Sequence, residues 1–222
     1  TISTRSLSAR ATWRGVGFMR GTIIPASFHR PDEDIMALPQ PNDPLTAEDY
    51  LQWEAGQPEK HKYVRGETVA MGGASRRPVT ISLNVASALE GTPCRACMAD
   101  MKVHAAENEA YFYPDVLVTC DPADHRADLL MRAPTLIVEV LSPATAACDR
   151  GDKFAAYRRI PSLRDFVLID PDLRRIEHYR HRGDIGWDII TFEPGDTAQR
   201  ASVELELPIA DVYFKAGVEC SA

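Results

Sequence analysis

The chain has no long hydrophobic run: none of its 222 residues sits in a stretch near the roughly 18 apolar positions a membrane-spanning helix needs. It has no excess of positive charge either. Twenty-five lysines and arginines face 32 aspartates and glutamates, a formal net charge of −7. That balance excludes a histone-like coating of nucleic acid by bulk positive charge. It leaves room for an enzyme that meets nucleic acid through a local basic surface and a bound metal ion. A zinc framework is also missing. Cys94–Cys97 is a lone C-x-x-C, with no second close pair and no suitably spaced histidines. The odd count of five cysteines reads as reduced, structural thiols in the cytoplasm. There is no internal repeat and no low-complexity tract. What is present is an ordinary globular composition, 45% hydrophobic, at a length that fits one large domain or a domain plus a tail.

The charge is unevenly placed. Residues 1–35 hold five arginines against Asp32, Glu33 and Asp34, a balance of +2 that leaves −9 for residues 36–222. Ser, Thr, Arg and Gly are frequent in this stretch and no apolar period persists, so residues 1–44 are expected to form a disordered or poorly packed leader. An Arg- and Ser-rich start resembles a transit peptide, but the acidic cluster at 32–34 argues against one. The functional protein is expected to start near Met36, which N-terminal sequencing of the natively expressed protein tests. The domain itself is expected over residues 45–216.

From Leu45 the punctuation is regular. Thr46 and Asp49 have the spacing of a capping box, with Leu45 as its staple and a helix to about Ala55. His61–Arg65 and Glu67–Met71 alternate around Gly66 as a hairpin. Val79, Leu83, Ala86 and Leu89 mark the buried face of a helix from Pro78 to Glu90. Cys94–Ala105 and Ala110–Thr119 form a second hairpin around 107–109. Pro134–Leu141 reads as a central strand, and Asp149 as the cap of a helix to about Ile160. Asp165–Asp170 is another apolar strand. Ile176–Arg180, Trp187–Phe192 and Val203–Leu207 read as antiparallel strands with turns at Gly183, Gly186 and Gly195. The pattern is α/β or α+β: a sheet of mixed direction flanked by helices.

Four charges sit where a fold does not ordinarily place them. Glu139 lies mid-strand among five aliphatic residues, where an unpaired carboxylate costs several kcal/mol. Asp115 enters an apolar strand directly after Pro114. Lys153 is placed in the first turn of the following helix, against the helix dipole, with Tyr157 one i, i+4 step away. Glu67 shares a strand face with Val69 and Met71. Each has a structural reading: a salt bridge for Glu139, a solvated strand end for Asp115, a surface lysine with its ammonium in water for Lys153, and a paired carboxylate for Glu67. Convergent, two carboxylates and a lysine make a metal-dependent hydrolytic site: hard oxygen ligands suit Mg²⁺, and the lysine can orient water or stabilise developing charge.

Pro114-Asp115, then Glu139, then Lys153 resembles the PD-(D/E)XK nuclease superfamily. The wider set is similar to the Uma-type family of putative restriction endonucleases: Thr46–Tyr50 with Trp53, Lys60–Glu67, Tyr113-Pro114-Asp115, Val138 to Pro143, and Asp149 through Lys153 to Tyr157. The resemblance implies a restriction-endonuclease-like fold and cleavage of DNA. It implies Asp115, Glu139 and Glu67 as metal ligands, Lys153 as catalytic lysine, Mg²⁺ as cofactor with Mn²⁺ as a substitute, and by analogy a homodimer. The superfamily's nominal lysine position, two after the second acid, is Leu141 here, so the lysine comes from the next helix. Pro78 stands where many relatives carry histidine. Lys60, Lys62, Arg65, Arg76, Arg77 and Arg150 are the expected nucleic-acid contacts. Two other readings compete: a non-catalytic nucleic-acid or protein binding module on the same fold, and a two-carboxylate glycoside hydrolase, in which Lys153 would have no role.

Overall fold

A computed structural model describes residues 44–217 apart from 108, 201, 202 and 204. The leader expected over 1–44 lies, save Pro44, outside the described residues, as does the start expected near Met36. The order of elements begins α1 (Ala47–Glu54), β1 (His61–Val64), β2 (Glu67–Ala70), α2 (Arg76–Leu89), β3 (Arg95–Met98), β4 (Lys102–Ala105), β5 (Ala110–Phe112) and β6 (Val116–Thr119). It continues with β7 (Leu130–Met131), β8 (Pro134–Val140), α3 (Ala146–Cys148), a π-turn (Asp149–Lys153), α4 (Phe154–Tyr157), β9 (Asp165–Asp170), β10 (Arg175–His181), β11 (Trp187–Phe192), β12 (Thr197–Arg200), β13 (Leu205–Pro208) and α5 (Ile209–Val212). No described helix is long and apolar enough to cross a membrane.

The strands form a six-stranded sheet, β11-β10-β9-β8-β6-β3, a five-stranded sheet, β2-β1-β5-β4-β7, and a β12-β13 pair. In the larger sheet β8 runs parallel to β9 and antiparallel to β6, so direction is mixed. Period-2 alternation sends successive side chains to opposite faces. Leu136, Val138 and Val140 of β8 pack with α2, α5 and β13 on one side. Ile137 and Leu141 join the cluster on the other side, with Tyr157, Phe166 and Leu168. Glu139 is in phase with that second face. A third, tyrosine-rich cluster of Tyr50, Tyr63 and Tyr111 seats α1 on the five-stranded sheet.

Several expectations are met and several are corrected. The Thr46–Asp49 capping box closes with both of its hydrogen bonds, and Leu45 is buried. The first hairpin turns on Arg65 and Gly66, both at positive φ, 48° and 92°. The segment from 94 to 119 is one long hairpin whose tip and base enter different sheets: β4 pairs with β5 in the five-stranded sheet, whereas β3 pairs with β6 in the six-stranded one. Pro114 has no N–H to donate, so the ladder of β5 stops there and the chain bends into β6. The buried face of α2 is Ile81, Ser82, Val85, Ala86 and Leu89, so Ala86 and Leu89 of the expected row are buried as expected, whereas Val79 and Leu83 are half exposed. Two interleaved i, i+4 rows run down this helix, and the more continuous one faces the sheet. β12 was not foreseen. Finally, Cys94 and Cys120 form a disulfide, which overturns the reading of all five cysteines as reduced thiols. Among the described residues Cys97 and Cys148 are free; Cys220 lies outside them. The register explains the bridge: Arg95 opposes Thr119, so Cys94 and Cys120 face each other one step beyond the ladder.

Candidate active site

Strand register creates the site. Val116 pairs with Val138 in the antiparallel β6–β8 ladder. One step on, Asp115 faces Glu139 from the neighbouring strand, on the same side of the sheet. Asp115 is fastened there because its Oδ2 accepts from the Val140 N–H at 2.7 Å. Its own carbonyl accepts from Ala99 N–H at 3.1 Å, which ties the bend to the end of β3.

The β8-to-β9 crossover then carries a helical stretch back over this face. It does not begin at Asp149. One turn of α3 precedes it, and Asp149 opens the π-turn with Lys153 at that turn's end. The expected N-cap role of Asp149 and the expected first-turn position of Lys153 are therefore corrected. A π-turn inserts an extra residue into the helical path, and such turns concentrate at functional sites.

Lys153 Nζ lies 2.9 Å from Glu139 Oε2 and 2.9 Å from Asp149 Oδ1. The Asp149 contact is an ion pair off the line of an aligned hydrogen bond. Tyr157 hydroxyl donates to Glu139 Oε1 at 2.9 Å. These side chains are sequestered, with Glu139 5%, Asp149 2% and Lys153 11% exposed. Burial, opposed by Lys153 and reinforced by Asp115 and Asp149, pushes Glu139 up to about 7. Burial likewise raises Asp115, against the pull of the Val140 N–H and of Lys153. Burial works against the Lys153 ammonium, but the charges of Glu139 and Asp149 outweigh it and hold its pKa above the ordinary range.

The cluster therefore sets three carboxylates against one ammonium, a deficit of positive charge in a dry place. The donor set is all oxygen and hard, which suits a divalent ion such as Mg²⁺. Among the described residues no three carboxylate, imidazole or thiolate groups converge on one metal-sized point. Two carboxylates, Asp115 and Glu139, are enough for Mg²⁺, which keeps much of its water and takes the rest of its shell from substrate phosphate. The residues present fit the ion.

A cleft of about 840 Å³ opens beside this cluster. Asp115 and Tyr113 line it from the sheet bend, Lys60 and Glu59 from the segment before β1, Gly72 and Gly73 from the approach to α2, and Val79 from the first turn of that helix.

The other expected site residues are dispersed. Glu67 stands exposed at the start of edge strand β2, and the charges acting on Glu139 are Lys153, Asp115 and Asp149, not Glu67. Lys60 pairs with Asp100 at the cleft. Lys62 reaches Cys148 Sγ at 3.9 Å. Arg65 is largely exposed, 3.6 Å from Glu109. Arg77 pairs with Asp172, and Arg76 lies against Gly217. Arg150 is committed to Glu177 through two hydrogen bonds. Asp149 was not singled out as a site member by sequence reasoning; its signals were its place in the Asp149–Lys153–Tyr157 stretch that carries the family resemblance and its i, i+4 spacing to Lys153, the spacing of a helical ion pair.

Comparison with known proteins gives the family and the fold. The Uma2 family, described as a putative restriction endonuclease, matches residues 47–210. The chain belongs to the Uma2 family. It is 37% identical over 173 residues to uncharacterized protein slr1290 of Synechocystis sp., covering 76% of this chain and 91% of that protein. It is 35% identical over 161 residues to uncharacterized protein sll1609 of the same organism, covering 70% and 90%. Among solved structures it resembles a putative nuclease belonging to DUF820 from Anabaena variabilis, with TM-score 0.58 and 19% identity over 77% of this chain and 98% of that one. The fold is restriction-endonuclease-like, and membership of the Uma2 family supports a nuclease function.

Proposed function

We propose that this Uma2 protein is a divalent-metal-dependent endonuclease that hydrolyses phosphodiester bonds of DNA. The observation that carries the reading is the cross-strand pair Asp115–Glu139 with Lys153 2.9 Å from Glu139. Asp115 and Glu139 would hold Mg²⁺, or Mn²⁺ in its place. The bound ion would lower the pKa of a water and offset the charge of the phosphoryl oxygens. Lys153 orients the attacking water through its third N–H and stabilises the charge that develops on phosphorus-bound oxygen. Tyr157 fixes one oxygen of Glu139 so that the other faces the ammonium. The surrounding apolar cluster keeps bulk water away and strengthens these charges. The cleft beside Asp115 receives the strand, with Lys60 as a phosphate contact once it leaves Asp100. Lys62, Arg65, Arg76, Arg77 and Arg150 extend that contact set, Glu67 serves as an outer acidic group, and a homodimer would place two sites on two strands.

Plasmid DNA incubated with Mg²⁺ and purified protein, beside the Asp115→Ala/Lys153→Ala double variant, tests the reading. Nicking or linearisation by the wild type alone is expected. Equal cleavage by both preparations would overturn it. The −9 balance of residues 36–222 favours the competing, non-catalytic module, which predicts nucleic-acid or protein binding without turnover and no heat on Mg²⁺ titration.

A further inference from the structure

Lys153 reaches the site from a flexible four-carbon stem, yet its ammonium is nine-tenths hidden beside a metal-ligand pair. Something must hold it there in the working state. In the structure two carboxylates do so, Glu139 and Asp149, each at 2.9 Å. They are not equivalent. Glu139 shares its face with Asp115 and already gives one oxygen to Tyr157. On the reading above, its remaining oxygen serves the cation, and a Lys153 held by Glu139 alone would then face a divalent ion with no counter-charge. Asp149 lies on the helical side of Lys153 rather than on the sheet. It is almost wholly buried, and its Oδ1 has no aligned hydrogen bond from any other group. The π-turn that begins at Asp149 and ends at Lys153 encloses this pair and nothing else that is charged and buried.

We propose that Asp149 is the positioning residue for the catalytic lysine: a carboxylate outside the metal pair that keeps the Lys153 ammonium over the scissile phosphate when Glu139 is engaged elsewhere. This rests on the nuclease reading. On this reading Asp149 stands outside the metal pair, and its direct ion-pair contact is Lys153. A neutral Asp149→Asn side chain keeps the shape but removes the charge that anchors the ammonium. Displacement of a reacting group by about 1 Å costs on the order of 10²-fold in rate.

A double-mutant cycle tests the link, with Asp149→Asn, Lys153→Ala and the pair measured for kcat and KM on a DNA duplex with Mg²⁺. Asp149→Asn is expected to lower kcat on the order of 10²-fold with KM unchanged, and to add nothing in the Lys153→Ala background. Asp149→Glu, which restores the charge on a longer arm, is expected to recover part of the loss. The same cycle on thermal unfolding of the metal-free protein supplies a readout independent of activity, where the two single substitutions are expected to be non-additive. Additive losses in kcat, an unchanged kcat in Asp149→Asn, or independent stability effects would each overturn the proposal. A wild type that cleaves no nucleic acid overturns the nuclease reading, and the metal-free cycle still decides whether Asp149 holds Lys153.

Discussion

Two nitrogens of Arg150 donate to the two oxygens of Glu177, at 3.1 and 2.7 Å, which makes this bidentate pair a strong surface interaction. Those hydrogen bonds hold the Glu177 carboxyl below its ordinary value of 4.5. A depressed acid binds fewer protons in the folded than in the unfolded chain, so stability rises with pH across that interval. The contribution is complete above 4.5 and disappears as pH falls through the lower folded value. Urea unfolding of wild type and Arg150→Met as the pH is lowered checks it: the gap between the two midpoints should close on acidification, and a constant gap would refute it. Residue by residue, the sequence exposes charges best where an apolar period frames them. Glu139 stands out because its strand neighbours are aliphatic, and Asp115 because a proline delivers it into one. Asp149 is hidden by an honest ambiguity. An aspartate before a helical stretch reads as an N-cap, and nothing in Ala146–Cys148 shows that a turn of helix has already formed. Glu67 stands exposed at the start of β2, and alternation in a two-sided edge strand does not say which face is wet.

Strands and turns were legible where local chemistry decides them, as in the capping box of α1, the Arg65–Gly66 hairpin and strands β8 to β11. Pairing between strands distant in sequence was not. The split of the 94–119 hairpin between two sheets depends on Pro114 ending one ladder, and the disulfide depends on the register that follows. The Cys94–Cys120 bridge spans 26 residues of sequence and pins the start of edge strand β3 to the end of β6. Closing a loop of that order stabilises a protein by about 2–4 kcal/mol, chiefly by restricting the unfolded chain. Cys120→Ser is therefore expected to lower the guanidinium midpoint by a corresponding amount, and a reducing agent should do the same to the wild type but not to the variant. Equal midpoints for wild type and variant under oxidising conditions would show that the bridge contributes nothing. Because Ala99, the residue that follows β3, donates its N–H to the carbonyl of Asp115, fraying of this strand would reach the proposed metal pair, and Mg²⁺ affinity should fall along with stability.

At the scale of the whole molecule, a net charge of −7 and the polyanionic substrate proposed above would repel each other. Of the proposed contact residues, Lys60, Arg77 and Arg150 are already paired with acids, which limits what they add. For a protein that binds DNA through basic side chains alone, added Mg²⁺ competes for phosphate and weakens binding along with any other salt. On the proposed reading a divalent ion would have a second role, because Glu139 and Asp149, both buried, and the partly buried Asp115 surround one lysine beside the cleft where the strand would enter. Filling that deficit removes local negative charge and offers the phosphate a cation. DNA affinity of the Lys153→Ala variant, read by fluorescence anisotropy at constant ionic strength, should therefore rise as Mg²⁺ is added from zero. The rise should vanish in Asp115→Ala/Lys153→Ala, where only the counterion effect remains. A monotonic loss of affinity with Mg²⁺ in both variants would mean that the acidic balance of the chain has no part in holding its substrate.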